Sequence, residues 1–172
     1  YYQALDIYKK IHGEHHPQIA ICLNNLAFLY DKQNRIQESL SLYTDALLIA
    51  IAQDDPVLLW NIQAGMSYIQ KKLGHLSLSI FYGKQAVNTL QSMRKGISEL
   101  GNQFQNSFLK TKEHVYKFLA DSLIEESRLP EAQIVLKMLK EEEYFDFIRR
   151  NSTSDLRETQ IQPSPLEKEN RE

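Results

Sequence analysis

The chain has one cysteine, Cys22, in 172 residues, with six glycines, five prolines and a formal charge of only −2. One cysteine excludes an internal disulfide and fits a reducing compartment, so a cytoplasmic location is expected. The average soluble composition argues against a fibrous or wholly disordered chain. The longest wholly apolar run, Ala46 to Ala52, is far short of the roughly 20 residues that span a bilayer, so no membrane is expected among the partners. No charged-then-apolar leader opens the sequence. Charge of one sign is also lacking: residues 151–172 hold five acids and three bases, which leaves seventeen of each before them. A balanced body without a basic stripe is poorly suited to displace the counterions of a nucleic-acid backbone, so no nucleic-acid partner is expected.

What the sequence does contain is a spacing. Leu26-Ala27 is followed by Tyr30, Ser39 and Ala46; Met66-Ser67 by Gly74, Ser79 and Ala86; Leu119-Ala120 by Leu123, Ala132 and Leu139. In each copy a small residue stands twelve positions after the small residue of the opening pair: 27 to 39, 67 to 79 and 120 to 132. That is the spacing of a tetratricopeptide repeat, two antiparallel helices that meet where side chains are small enough for backbones to approach. The expected fold is all-α: a right-handed superhelical stack of tetratricopeptide-type hairpins, an α-solenoid.

Breakers place the elements. Pro17, Pro56 and Pro130 each open an apolar-periodic segment, where the missing N–H has no partner to lose. Asp55 and Asn34 are expected as caps, and Gly13, Asn34 and Gly74 as turns after the preceding helix. The predicted helices are 1–12, 17–32, 35–52, 56–73, 75–94, 104–128 and 130–150, and no segment alternates as a strand would. The repeat domain is 1–150, with a half repeat at 1–12 and repeats at about 17–52, 56–94 and 104–150; residues 151–172 read as a polar linker or disordered tail. Tyr1 to Tyr8 reads as the end of a second repeat helix, Ala4 lying 42 positions before Ala46. The expectation is a fragment of a longer protein whose missing part continues the stack. Repeat spacings of 40 and 53 exceed the usual length of about 34. For the third copy the extra length is visible as Lys95 to Asn102, where Gly96 and Gly101 interrupt the helical pattern while Ile97, Leu100, Phe104 and Phe108 still offer an apolar face.

Two stretches resemble known families. His15-His16-Pro17, Asn24-Asn25-Leu26-Ala27-Phe28-Leu29-Tyr30, Leu42-Tyr43 and Ala46-Leu47 are similar to the long repeats of kinesin light chains and their bacterial relatives. Phe81 to Asn88, Ser107-Phe108-Leu109, Tyr116 to Ile124, Arg128 to Gln133 and Leu139 to Arg150 resemble the repeat region directly upstream of the caspase-like CHAT domain in bacterial proteins. The second resemblance implies a following polar linker, which the tail fits, and then a protease-like domain with a catalytic His and Cys. Cys22 and all five histidines lie before that linker, so no catalytic residue is carried over.

Chemistry within the chain itself is sparse. His12-Gly13-Glu14-His15-His16 packs imidazoles and a carboxylate into five residues, but neighbours on one turn seldom converge on a metal, and no metal or cofactor is expected. Cys22 lies among Ile19, Ile21, Leu23 and Leu26 with no His at helical spacing, the setting of an inert thiol. Glu141-Glu142-Glu143 reads as a solvated face near Lys137 and Lys140. Tyr144, Phe145 and Phe147 serve either the last repeat's core or a neighbouring domain. No nucleophile–base pair or phosphate loop is present, so no enzyme activity is expected of these residues.

The first helix of each repeat lines the concave face in this architecture. The expected peptide groove takes Asn24, Asn25, Phe28, Asp31 and Lys32 from the first copy, Tyr68, Lys71 and Lys72 from the second, and His114, Lys117 and Asp121 from the third. Asn amides offer a donor and an acceptor to an extended backbone, and Phe28 and Tyr68, each one residue after the small residue, form an expected aromatic shelf. A non-catalytic module that binds a protein or peptide and regulates or positions a downstream caspase-like protease is the expected function, its second half resting on the resemblance. The alternative is a stand-alone scaffold or the sensor region of a transcriptional regulator.

Overall fold

The computed structural model describes residues 2–97 and 112–148. Among the described residues there are seven helices and no strand: α1 (Tyr2–His12), α2 (Pro17–Lys32), α3 (Ile36–Gln53), α4 (Pro56–Lys72), α5 (Leu76–Ile97), α6 (Glu113–Glu125) and α7 (Leu129–Ile148). The chain is all-α, as its periodicity required.

Helix starts follow the prolines. Pro17 and Pro56 open α2 and α4, and Pro130 is the second residue of α7. Asp55 Oδ1 caps α4, accepting from the N–H groups of Val57 at 2.9 Å and Leu58 at 3.1 Å. His16 does the same for α2, its Nδ1 accepting from Gln18 N–H at 3.2 Å. The cap expected at Asn34 is corrected: Arg35 holds the N-cap position of α3 and makes no side-chain cap bond. Asn34 instead adopts the left-handed conformation (φ 61°) that closes α2, as Gly13 and Gly74 do at φ 80° and 79° after α1 and α4. Asn tolerates that region because its short polar side chain can bond locally.

α5 continues through Gly96 to Ile97, past the expected stop at residue 94. One glycine costs about 1 kcal/mol against alanine inside a helix, too little to end a 22-residue ladder. The rest of the expected insertion with Leu100, Phe104 and Phe108, the opening of the predicted 104–128 helix, and the tail 151–172 lie outside the described residues. So do Tyr1 and the side chains of Leu5, Ile97, Glu141 to Glu143, Tyr144, Phe145 and Phe147.

The chain forms two compact units, Tyr1–Tyr82 and Gly83–Glu172. In the first, α2 packs along α3, α3 on α4, and α1 on α2. Ile19 and Leu23 of α2, Tyr43 and Ile49 of α3, and Leu58, Ile62 and Met66 of α4 make one apolar cluster. Each such large side chain contributes about 1.5–3 kcal/mol by leaving water, well above any difference in helix propensity. The repeat's small residues, Ala27, Ser39, Ala46, Ser67 and Ser79, are all buried. The twelve-residue spacing is a direct contact: Ser39 Oγ donates to the Ala27 carbonyl at 2.7 Å, and Ser67 Oγ to the Ser79 carbonyl at 2.7 Å.

In the second unit α6 packs on α7. Ala86, Val87 and Leu90 of α5, Val115, Tyr116, Leu119 and Leu123 of α6, and Val135 and Met138 of α7 are buried. Ala120 and Ala132, again twelve residues apart, are buried with them.

Candidate functional site

α2 turns Ile19, Ala20, Leu23 and Ala27 toward the core, which leaves the turn after Ala27 free to face outward. Phe28 is 50 % exposed, and Lys32, one turn on, holds its Nζ 4.9 Å from the centre of that ring. Asp31 stands between them. Its carboxylate is paired with Lys72 Nζ from the end of α4, so the face of α2 is tied to the equivalent end of the next first helix. The Asp31 side chain is 12 % exposed and that of Lys72 47 %. A pair so open to water contributes less than about 1 kcal/mol; its effect is to fix where the ammonium sits.

Tyr68 and Lys71 are half-buried on α4. Burial pushes the Tyr68 hydroxyl up from its ordinary pKa, so it stays neutral. The same holds for Tyr43 in the core beneath, raised first by burial and then by the negative charge of Asp31. Asn25 is half-buried on α2. Asn24 Oδ1 is buried and accepts no hydrogen bond among the described residues. The candidate residues of the first unit thus comprise an exposed aromatic ring, two asparagine amides, and three lysines against a single aspartate that Lys72 already neutralises.

Residues 1–52 match the tetratricopeptide repeat family. The matched stretch takes in α1, α2 and α3. No curated protein matches the chain. Tetratricopeptide repeats act as protein-binding scaffolds through the surfaces their stacked helices expose, and a non-catalytic interaction module is the reading the fold supports.

In the second unit α6 is the helix that packs along α7. His114, Lys117 and Asp121 are exposed on it, and Lys117 pairs with Glu113 one turn back. The His-rich turn serves local structure: His16 caps α2, and the His15 carbonyl accepts from Gln53 Nε2 at 3.2 Å. Cys22 is buried on α2. Among the described residues no cluster of three or more His, Cys, Asp or Glu could hold a metal ion, and no helix is long and apolar enough to cross a membrane.

Sequence reasoning missed a charged cluster. Lys84 of α5 is buried, its side chain 3 % exposed, and its Nζ lies 2.6 Å from Glu131 Oε2 on α7. Arg128 donates to the same carboxylate twice, Nε to Oε1 at 2.7 Å and Nη2 to Oε2 at 2.9 Å. Burial alone would raise the Glu131 pKa; the hydrogen bonds from Arg128 and Lys84 outweigh it and hold the carboxyl below its usual range. Two turns further along α5, Gln91 Nε2 donates to the Tyr116 hydroxyl at 3.0 Å inside the core. The signal was present: Ile80, Lys84, Val87 and Gln91 fall on one helical stripe, and all four are buried.

Proposed function

We propose that the chain is a non-catalytic module that binds a protein or peptide and thereby regulates or positions a downstream caspase-like CHAT protease domain. The observation that carries the binding half is the Phe28–Lys32 stack beside the Asp31–Lys72 pair. It sets an exposed aromatic ring beside the ammonium of Lys32, on the same helix as the Asp31 that holds Lys72. Such a surface suits an extended segment with an apolar anchor and an acidic flank, Asn24 and Asn25 meeting its backbone. The protease half rests on the resemblance of residues 79–150 to the repeats ahead of CHAT domains, and on the polar character of residues 151–172.

Truncating aromatic anchors at a packed interface costs about 2 kcal/mol or more, a rim lysine much less. Phe28→Ala with Tyr68→Ala is therefore expected to weaken binding of a leucine-anchored, glutamate-flanked peptide, read by calorimetry, with helicity and melting nearly unchanged. Loss of the fold in that variant would make the rings core and remove the groove. For the protease half, peptidase activity of the parent protein should lose its response to partner in the same variant; an unaltered response would sink that half.

A further inference from the structure

α3 changes character halfway along. Ser39, Tyr43, Ala46, Ile49 and Ala50 turn to the core. On the opposite stripe Ser41, Thr44, Asp45, Leu48, Ile51 and Ala52 recur with the helical period, and all six are exposed. The first three are the polar residues that a solvated face calls for. The last three belong to the longest wholly apolar run, Ala46 to Ala52. A helix apolar all round belongs inside a protein, yet Leu48 is 64 % exposed and Ile51 59 %. Val57, 54 % exposed, stands in the first turn of α4. The chain turns back tightly between them, the Asp54 N–H donating to the Ile51 carbonyl at 3.1 Å.

The charged residues that accompany this patch are acids. From Ile36 to Gln70 the sequence holds no Lys, Arg or His and four acids: Glu38, Asp45, Asp54 and Asp55. Arg35 pairs with Glu38, and Asp55 caps α4, which leaves Asp45 and Asp54, both exposed. The turn ahead of α2 meets the same end of α3, where Gln53 Nε2 donates to the His15 carbonyl at 3.2 Å, and it brings exposed Glu14 beside exposed His15.

We propose that this outer face of α3, distinct from the Phe28 groove, docks a basic amphipathic helix of another protein. The helix would set apolar side chains on Leu48, Ile51 and Val57 and Lys or Arg opposite Asp45 and Asp54. Exposed apolar surface rimmed by charge marks an interaction site, and the sign of the rim selects the occupant. A second copy paired two-fold through this face would set the same acids against each other. An anionic bilayer surface would be repelled by them.

The probe is a helical peptide with leucines at i, i+3, i+4 and i+7 flanked by lysines, titrated against the 172-residue chain by anisotropy. Leu48→Gln with Ile51→Gln should weaken its binding about tenfold or more. Asp45→Asn with Asp54→Asn should weaken it several-fold and flatten its salt dependence. Circular dichroism and melting of both variants should match the parent, since every altered side chain is exposed. A glutamate-flanked version of the peptide, and a lysine version scrambled to lose its apolar face, should not bind at this face. No saturable binding of the lysine peptide, or binding that neither variant weakens, would overturn the proposal. So would binding abolished by Phe28→Ala with Tyr68→Ala, which would seat the peptide in the groove. A dimer of the 172-residue chain that Leu48→Gln with Ile51→Gln dissociates would assign the face to a second copy and overturn it too.

Discussion

Gly65 of α4 lies against the ring of Tyr43 from α3, so closely that a Cβ on it would stand 2.4 Å from Cε1 and 2.8 Å from the hydroxyl oxygen. Tyr43 is buried, and its ring cannot swing clear without opening the cluster around it. On an unobstructed helix, Gly→Ala gains up to about 1 kcal/mol. Here overpacking outweighs that gain, and Gly65→Ala should destabilise the first unit by about 1–3 kcal/mol in urea unfolding. In a Tyr43→Ala background the sign should reverse. A penalty that persists there would show that the ring is not the obstacle.

The two serine bonds run in opposite directions. Ser39 donates from the second helix of its hairpin and Ser67 from the first. Ser39→Ala should cost about 1 kcal/mol, the net worth of a buried neutral hydrogen bond, and Ser67→Ala about the same. Ser39→Val should cost clearly more, because the added methyls meet a backbone already at hydrogen-bond distance. Equal melting of the Ala and Val variants would mean that size does not matter at this crossing.

Glu131 makes the second unit acid-sensitive. Its folded pKa lies below the ordinary carboxylate range, so its stabilising contribution is complete above about pH 4.3 and is lost as pH falls through the folded value. Glu131→Gln removes the carboxylate that buried Lys84 and Arg128 share and should cost about 3 kcal/mol near neutrality. The acid-dependent loss of hydrogen-exchange protection in α6 and α7 should also become shallower. A variant with the parent's acid profile would remove Glu131 from that role.

Asp31→Asn contrasts with it. The Asp31–Lys72 pair is half open to water on the lysine side, so its loss should shift stability by less than about 1 kcal/mol, and less still in high salt. Binding should respond more than stability does. With Lys72 released, a glutamate-flanked peptide should bind several-fold tighter, read by anisotropy against the parent. Unchanged or weaker binding would show that Asp31 does not compete for that lysine.

Much of this was legible in the residues. Small side chains twelve apart marked the crossings because backbone approach admits little else, and proline marked helix starts because a first-turn N–H is dispensable. Asp54 and Ser127, at φ 49° and 59°, escaped notice because residue types that also serve as caps occupy left-handed closing positions. Lys84 escaped because a lysine reads as surface until its stripe is traced. The Gly65–Tyr43 fit could not be read at all: it depends on the register of α3 against α4, which a linear pattern does not encode. For the groove, the sequence named Phe28, Asp31, Lys32 and Lys72 without showing that Asp31 and Lys72 meet.

The serine bonds also bear on how the chain finds its fold. Each joins groups only twelve residues apart, a loop that closes in about 10–100 ns. Contacts of such short range spare the chain most of the entropy of distant closure, and helical proteins built on them reach the native state in microseconds to milliseconds. Each serine bond is therefore expected to close early in folding, and damage at one crossing should slow the growth of structure from that hairpin more than from the other.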